Sequence, residues 1–541
     1  MENKIFENGR IFTSDDENLY ADSMIVEEEK IAWIGRRAEM PSCSYERVDL
    51  NGACVIPGLI DAHMHPVMLA DFSQQISALP PRVNSIAELI EEIRRVRKEK
   101  FADRQDGKWI EGWGYDEGKF AEQRALTRYD LDEGCSDMPV CIIRTCGHIR
   151  CVNSKALEIA GIDRNTPDPE GGEIERDADG EPTGVLKENA RNLVTPFMPV
   201  PTREEKVENL IALGQLLLSQ GIVGVTDMGN LDKGDNYPLY EEAAKRGWEL
   251  KTGIYYMWDF FAEDKDFDLS GEKRDRDQQI FAAGLKLIGD GSVSGRTAWM
   301  SRPYLGRTEE YGLPVCSDEL VESAVSFCKR KHCQLSVHAM GGKAIKRAVD
   351  RLCLEDDWME GKENVPYARV EHITDPSEES IQKAAEKGIA FVTQPIFMYA
   401  EIESYLKNLG KEWMKECYPV KRMLDRKVQL CFSTDAPATS WAVPSDPFPC
   451  IKAAVTRRAW DGTDCGRDQA VDIQTAVQLY TRESAKAAGF PEMGQLKRGY
   501  RADFVVLDRN IFEIPEEEID KIKVQKVFIK GKRVYRSEEH T

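Results

Sequence analysis

The stretch Cys54-Val55-Ile56-Pro57-Gly58-Leu59-Ile60-Asp61-Ala62-His63-Met64-His65 is an apolar run that ends on two histidines. A short apolar run of this kind reads as a buried strand. Alternate residues of a strand point to one side, so the imidazoles of His63 and His65 can reach one ion. Seven more apolar runs follow it, most of them closing on a polar group: 221–228, 250–257, 284–290, 333–338, 368–372, 389–394 and 428–435. Helical stretches at 204–219, 318–331, 376–387 and 402–409 separate many of them. Eight strands alternating with helices argue for an α/β fold, a (β/α)8 TIM-like barrel over 57–491.

Between the first and second strands lie ~150 residues, too many for one crossover. They hold a helix at 86–100, a strand at 139–145 and an acidic, glycine-rich loop at 168–184. The reading is an insertion over 66–205, placed on the catalytic face of the barrel. Both chain ends are rich in short strands and turns, with Asn8-Gly9 and Lys530-Gly531 among the turn signals. Residues 1–56 and 492–541 are therefore expected to form one small β-sandwich domain from both termini. Two separate β-domains are the alternative.

Of 541 residues, 41% are hydrophobic and 31% charged, and the net charge is −21. So acidic a surface repels phosphates and makes nucleic acid and anionic membrane poor partners. A small-molecule substrate is the expected partner, and self-association into a homo-oligomer is left open. The N-terminus carries an early acid and no apolar run, so no signal peptide is read. The most apolar stretch, 210–225, is broken by Gln215, Ser219 and Gln220 and is too short to span a bilayer. The 14 cysteines show no CxxC pair, which favours reduced thiols and a cytoplasmic setting.

The chain has only seven histidines. Beside His63 and His65, His338 and His372 each close an apolar strand, and Asp435 closes another. Strand ends in a barrel point to the face where active sites sit, so four imidazoles and a carboxylate converge. That set suits Zn²⁺ or a similar divalent ion. A lone strand histidine is more often structural, but four with an aspartate, all at strand ends, are hard to reach by chance. His332, within a basic helix end, reads as solvated, and His540 as a tail residue. Lys286 lies inside an apolar strand, where an isolated ammonium is costly. Carbamate formation with CO₂ removes that cost and offers two oxygens to bridge cations. A lysine paired with Asp290 or with a substrate carboxylate is the plainer alternative.

The run 55–65 resembles the first-strand signature of the amidohydrolase superfamily. Lys286-Leu287-Ile288-Gly289-Asp290-Gly291-Ser292, His338-Ala339, Glu371-His372 and Thr434-Asp435-Ala436-Pro437 resemble its YtcJ-like branch, which includes N-substituted formamide deformylases. Gly147-His148 and Asn153-Ser154-Lys155-Ala156-Leu157 resemble it too, as does the C-terminal Gly494–Asp503 segment in its return to a β-sandwich. The resemblance implies that His63 and His65 hold the more buried of two metals with Asp435. It implies that His338 and His372 hold the second, and that a carboxylated Lys286 bridges them. This chain has Gly342 where the branch usually has aspartate, and Thr434 where it usually has serine.

The implied activity is metal-dependent hydrolysis of a C–N bond in an amide, N-formyl or N-acyl compound. Metal-activated hydroxide attacks the carbonyl and Asp435 serves as general base and acid. His148 is the expected oxyanion contact, with a loop histidine capping the 153–154 turn as the plainer reading. Arg296 and Trp113 are candidate substrate contacts. Arg144 and the aromatics Trp109, Tyr115, Tyr255, Tyr256, Trp258 and Trp299 are weaker ones that equally suit a core. A deaminase or cyclic-amide hydrolase of the same superfamily, and a non-catalytic metal-binding homologue, are the alternatives. Deaminases of the adenosine type place a glutamate three residues after the fifth-strand histidine, where this chain has Gly341.

Overall fold

Gly58 divides the run that opens the first barrel strand. The computed structural model describes residues 3–102, 107–145, 149–229, 233–359 and 365–538. In it Cys54–Pro57 and Leu59–Met64 are separate strands. Cys54–Pro57 pairs antiparallel with Phe504–Leu507, while Leu59–Met64 pairs parallel with Ile222–Asp227. A single strand over 54–65 was expected, so this is a correction. The reason is steric. A Cβ on residue 58 would stand 2.3 Å from Val223 Cγ2, so only glycine lets the backbone pass from one sheet to the other there.

The barrel follows the expected order. Its strands are β1 (Leu59–Met64), β2 (Ile222–Asp227), β3 (Lys251–Met257), β4 (Ile280–Ile288), β5 (Gln334–Ala339), β6 (Ala368–His372), β7 (Ala390–Thr393) and β8 (Leu430–Phe432). They form one eight-stranded sheet, each parallel to the next in sequence. Nearly every strand residue is buried, as expected where helices cover a parallel sheet. Just beyond the strand ends the backbone closes the ring. Asp435 N donates to His63 O and His65 N donates to Ala436 O, both at 2.8 Å.

The helices Arg203–Ser219, Asp318–Lys331, Gly342–Leu352 and Glu378–Lys387 lie between these strands in the chain. Ser317 and Ser377 cap two of them by accepting from Leu320 N and Ser380 N. His332 was expected to be solvated. Instead it is half-buried in the left-handed C-cap of Asp318–Lys331, with its Nδ1 2.8 Å from the Trp358 carbonyl.

Two further sheets join the chain ends. One has four strands in the order Lys30–Gly35, Ser23–Glu27, Lys4–Glu7, Glu46–Asp49. The other has six, in the order Lys532–Arg536, Val524–Ile529, Phe504–Leu507, Cys54–Pro57, Arg10–Phe12, Tyr20–Ala21. Phe6 packs edge-on to Phe504 at 5.0 Å, and Phe504 stacks on Phe528 at 4.4 Å within their shared core. The termini thus build one sandwich rather than two β-domains.

Residues 68–209 with 440–444 form a compact unit of their own. Its six-stranded sheet is parallel across Ile76–Ser77, Ile110–Tyr115 and Val140–Arg144, then antiparallel across Ile149–Val152, Pro182–Glu188 and Gly172–Arg176. Leu89 and Ile93 of the helix Ile86–Lys100 share a core with Ile110, Val140 and Ile142. The stretch expected as a loop at 168–184 holds the hairpin Gly172–Arg176 and Pro182–Glu188. Its acidic composition hid the pairing, and Asp177 organises the turn by accepting from Asp179 N and Glu181 N. No disulfide joins the described cysteines, and no helix among the described residues is long and apolar enough to cross a membrane.

The close pass at Gly58 gives a direct test. Gly58→Ala should cost about 1–3 kcal/mol by overpacking against Val223. Adding Val223→Ala should recover part of that loss in a double-mutant cycle read by denaturant unfolding. Strict additivity of the two changes contradicts the packing.

Candidate metal centre

β1 and β8 are joined at their ends by a buried carboxylate. Asp61 accepts from Thr434 Oγ1 at 2.6 Å, from Thr434 N and from His63 N. Burial pushes its carboxyl up to about 7, against these donors. The same closure carries Asp435 to the histidines of β1. Asp435 Oδ1 lies 3.1 Å from His63 Nε2 and 3.4 Å from His65 Nε2, and Oδ2 lies 4.0 Å from His372 Nδ1. Asp435 and His372 both hold positive φ, at 58° and 75°. Ligand atoms of His63, His372 and Asp435 fall within 4.8 Å of one another.

His338 completes the set. Its ring stands 4.3 Å, centroid to centroid, from that of His372, which is 4.9 Å from His63. Phe397 stacks on the His372 ring at 6.0 Å. Each imidazole has one nitrogen bonded to a protein acceptor. These are Glu371 for His63 Nδ1, Gly229 O for His65 Nδ1, Gln394 Oε1 for His372 Nδ1 and Gly291 O for His338 Nε2. The second nitrogen of His63 and of His65 faces Asp435, so in each of these rings one nitrogen is anchored by an outer acceptor and the other turns to the shared carboxylate, an arrangement that suits metal-ligating histidines.

Lys286 sits on β4, in register with Met257 and Ser336. It is 1% exposed, and its Nζ has no hydrogen-bond partner. Asp290, its expected alternative partner, is taken by the backbone N–H groups of Trp299, Met340 and Gly341. Burial brings the Lys286 ammonium down to about 8. Burial also lowers His63, and the charge of Lys286 lowers it further. Burial would raise Asp435, but His63 beside it holds the carboxyl well below the usual carboxylate range. An orphaned buried amine that acts electrostatically on His63, His372 and Asp435 fits a carbamate and divalent ions, because the anion removes the unpaired positive charge.

The structure therefore brings His63, His65, His372, Asp435, His338 and Lys286 together. His148 lies outside the described residues. Arg296, at φ 56°, lies on the segment after β4, its Nε donating to Asn408 Oδ1 at 2.7 Å. Trp113 belongs to the inserted unit and stacks on Phe72 at 5.3 Å. Arg144 pairs with Glu117. Tyr255, Tyr256 and Trp258 are buried, with polar tips on Gln334, Asp235 and Ser323. Sequence reasoning gave no role to Arg369 and Glu371, which lie beneath His63. An acid and a base two residues apart on an apolar strand share one face and were the available signal.

The profile of the Amidohydrolase family matches residues 46–535. The chain belongs to the amidohydrolase family. The putative amidohydrolase YtcJ of Bacillus subtilis (strain 168) is 29% identical over 544 residues, covering 98% of this chain and 99% of that protein. The N-substituted formamide deformylase of Arthrobacter pascens is 28% identical over 545 residues, covering 97% and 96%. An uncharacterized metal-dependent hydrolase from Pyrococcus horikoshii OT3 has a crystal structure with a TM-score of 0.72 at 25% identity, covering 95% of this chain and 99% of that one. The resemblance to the YtcJ-like branch holds over the full length, and the chain is an enzyme of this family.

His63→Ala and His338→Ala test the cluster from its two sides. Each should lower bound metal, measured by plasma mass spectrometry on the purified protein, with the fold kept by circular dichroism. Unchanged metal content in His63→Ala sinks the ligand set.

Proposed function

We propose that this amidohydrolase cleaves a C–N bond other than a peptide bond, in a small amide of the N-formyl or N-acyl type. His63, His65 and Asp435 would hold one divalent ion, zinc foremost, and His338 and His372 a second, and a carboxylated Lys286 would supply oxygen ligands to them. The observation that carries the reading is the buried, partnerless Nζ of Lys286 beside the convergent His63, His372 and Asp435. The N-substituted formamide deformylase over nearly the whole chain supports the bond type. Ions bound there lower the pKa of water and polarise a carbonyl.

The chain's own groups supply the rest. In carbamate formation the neutral Lys286 amine bonds through Nζ to the carbon of CO₂ and releases one proton to solvent. An ammonium there would oppose two divalent ions by several kcal/mol even at an effective dielectric of about 20. Asp435 takes the proton of the attacking water and returns it to the leaving nitrogen as the C–N bond breaks. The histidines around Asp435 favour its ionised form, which is the state a base needs. By sequence resemblance His148 steadies the developing oxyanion. A deaminase of the adenosine type is disfavoured by packing as well as by sequence. A Cβ on Gly341 would stand 2.2 Å from the backbone of Trp299, so no glutamate fits there.

Zinc-loaded protein should release amine from at least one N-formyl or N-acyl compound in a panel that includes cyclic amides and aminopurines. Turnover confined to aminopurines, or no turnover with about two ions bound, overturns the reading. His148→Ala should keep its metal and lose roughly two orders of magnitude in rate. Lys286→Ala should lose activity that short carboxylic acids restore in part, and electron density should continue past Nζ in the wild type. Density ending at Nζ with one ion bound points instead to a mononuclear site.

A further inference from the structure

Among the four imidazoles of the centre, His63 has the closest charged group behind it. Its Nδ1 lies 2.7 Å from Glu371 Oε2, whereas His65 Nδ1 and His372 Nδ1 meet a neutral carbonyl and an amide oxygen, and His338 Nε2 meets the Gly291 carbonyl at 3.0 Å with Asp290 Oδ1 farther off at 3.4 Å. Glu371 is itself fully engaged. Its Oε1 accepts from Arg369 Nε at 2.5 Å and from Ser336 Oγ at 2.8 Å. Its Oε2 accepts from Arg369 Nη2 at 3.0 Å as well as from His63. Arg369 also donates to the Ala62 carbonyl and to the Tyr255 hydroxyl. Arg369, Glu371 and Ser336 are 0% exposed. β6 and β1 are not neighbours in the sheet, so this network ties them through the barrel interior.

We propose that Arg369 and Glu371 are positioning residues that fix His63 as its Nδ1–H tautomer and make it the strongest of the four imidazole donors. The inference rests on the reading of these histidines as metal ligands. An ionised carboxylate only accepts, so the contact with Glu371 needs the proton on Nδ1. Nε2, 3.1 Å from Asp435 Oδ1, would then offer its lone pair to a bound ion. The bidentate guanidinium keeps the carboxylate charged and, with Ser336, stops it turning. A carboxylate behind the ring raises ligand basicity more than a neutral carbonyl does. The two ion positions are therefore unequal. The side held by His63 fills first, and the side held by His338 and His372 fills second.

Glu371→Gln keeps the shape and removes the charge. Metal-stripped full-length protein, titrated with zinc against a chromophoric chelator, should fill in two steps. In Glu371→Gln the first step should weaken roughly 10–100-fold while the second moves less than about twofold. Glu371→Asp keeps the charge but draws the oxygen back, and should fall between the two. A general structural lesion would weaken both steps alike, and that result overturns the proposal, as does an unchanged first step. Wild-type protein with ¹⁵N-labelled histidine gives an answer even if the variants fail to fold. In the zinc-loaded protein His63 should show a protonated Nδ1, and a bare Nδ1 overturns the proposal. Two-step zinc binding sensitive to Glu371, without hydrolysis of any amide, separates failure of the C–N reading from failure of this one.

Discussion

The seam between β1 and β8 is the constraint on which the site depends. Residues far apart in the chain meet there through two backbone hydrogen bonds, Asp435 N to His63 O and His65 N to Ala436 O. Each contributes only about 1 kcal/mol net, but either group left unpaired in this buried setting costs about 1–3 kcal/mol. Asp61 reinforces the closure by accepting from Thr434. The interaction that closes the barrel is therefore also the one that sets Asp435 against His63 and His65. Stability and the geometry of the histidine–aspartate cluster share one set of bonds.

Charge is concentrated in the same small volume and is balanced there. Asp435, Glu371 and Asp61 are buried acids, and Arg369 and Lys286 are buried bases. Arg369 and Glu371 neutralise each other in bidentate geometry, and Asp61 is satisfied by neutral donors. Lys286 is left without a hydrogen-bonded partner. Breaking a buried pair from one side is far costlier than never forming it, so the Arg369–Glu371 pair is also a rigid floor beneath His63.

The outer parts of the chain are built by different rules. The sandwich and the inserted unit have their own phenylalanine and aliphatic cores, each separate from the barrel strands that carry the histidines. The histidine–aspartate cluster sits at and just past strand ends, where the backbone is held on both sides and side-chain positions are most exact in such a fold.

The sequence alone determined the barrel order, because each strand is a short apolar run and a parallel sheet buried on both faces needs just that. It also placed His63, Lys286, His338 and His372 on strands, since the period of two is a local property, whereas His65 and Asp435, expected to close strands, lie just past the ends of β1 and β8. Tertiary structure decided the rest. The hairpin of Gly172–Arg176 with Pro182–Glu188 was invisible because its first strand is charged and its second lacks a clear alternation, so only pairing makes them strands. The break at Gly58 is enforced by Val223, far along the chain, although Pro57-Gly58 was a local signal of a break. Asp290 is a plausible partner for Lys286 in sequence, but three backbone N–H groups from later segments claim it. The Arg369–Glu371–His63 contact joins β6 to β1 across the barrel interior. No periodicity along one strand encodes a contact between strands that do not pair, so only the closed barrel could reveal it.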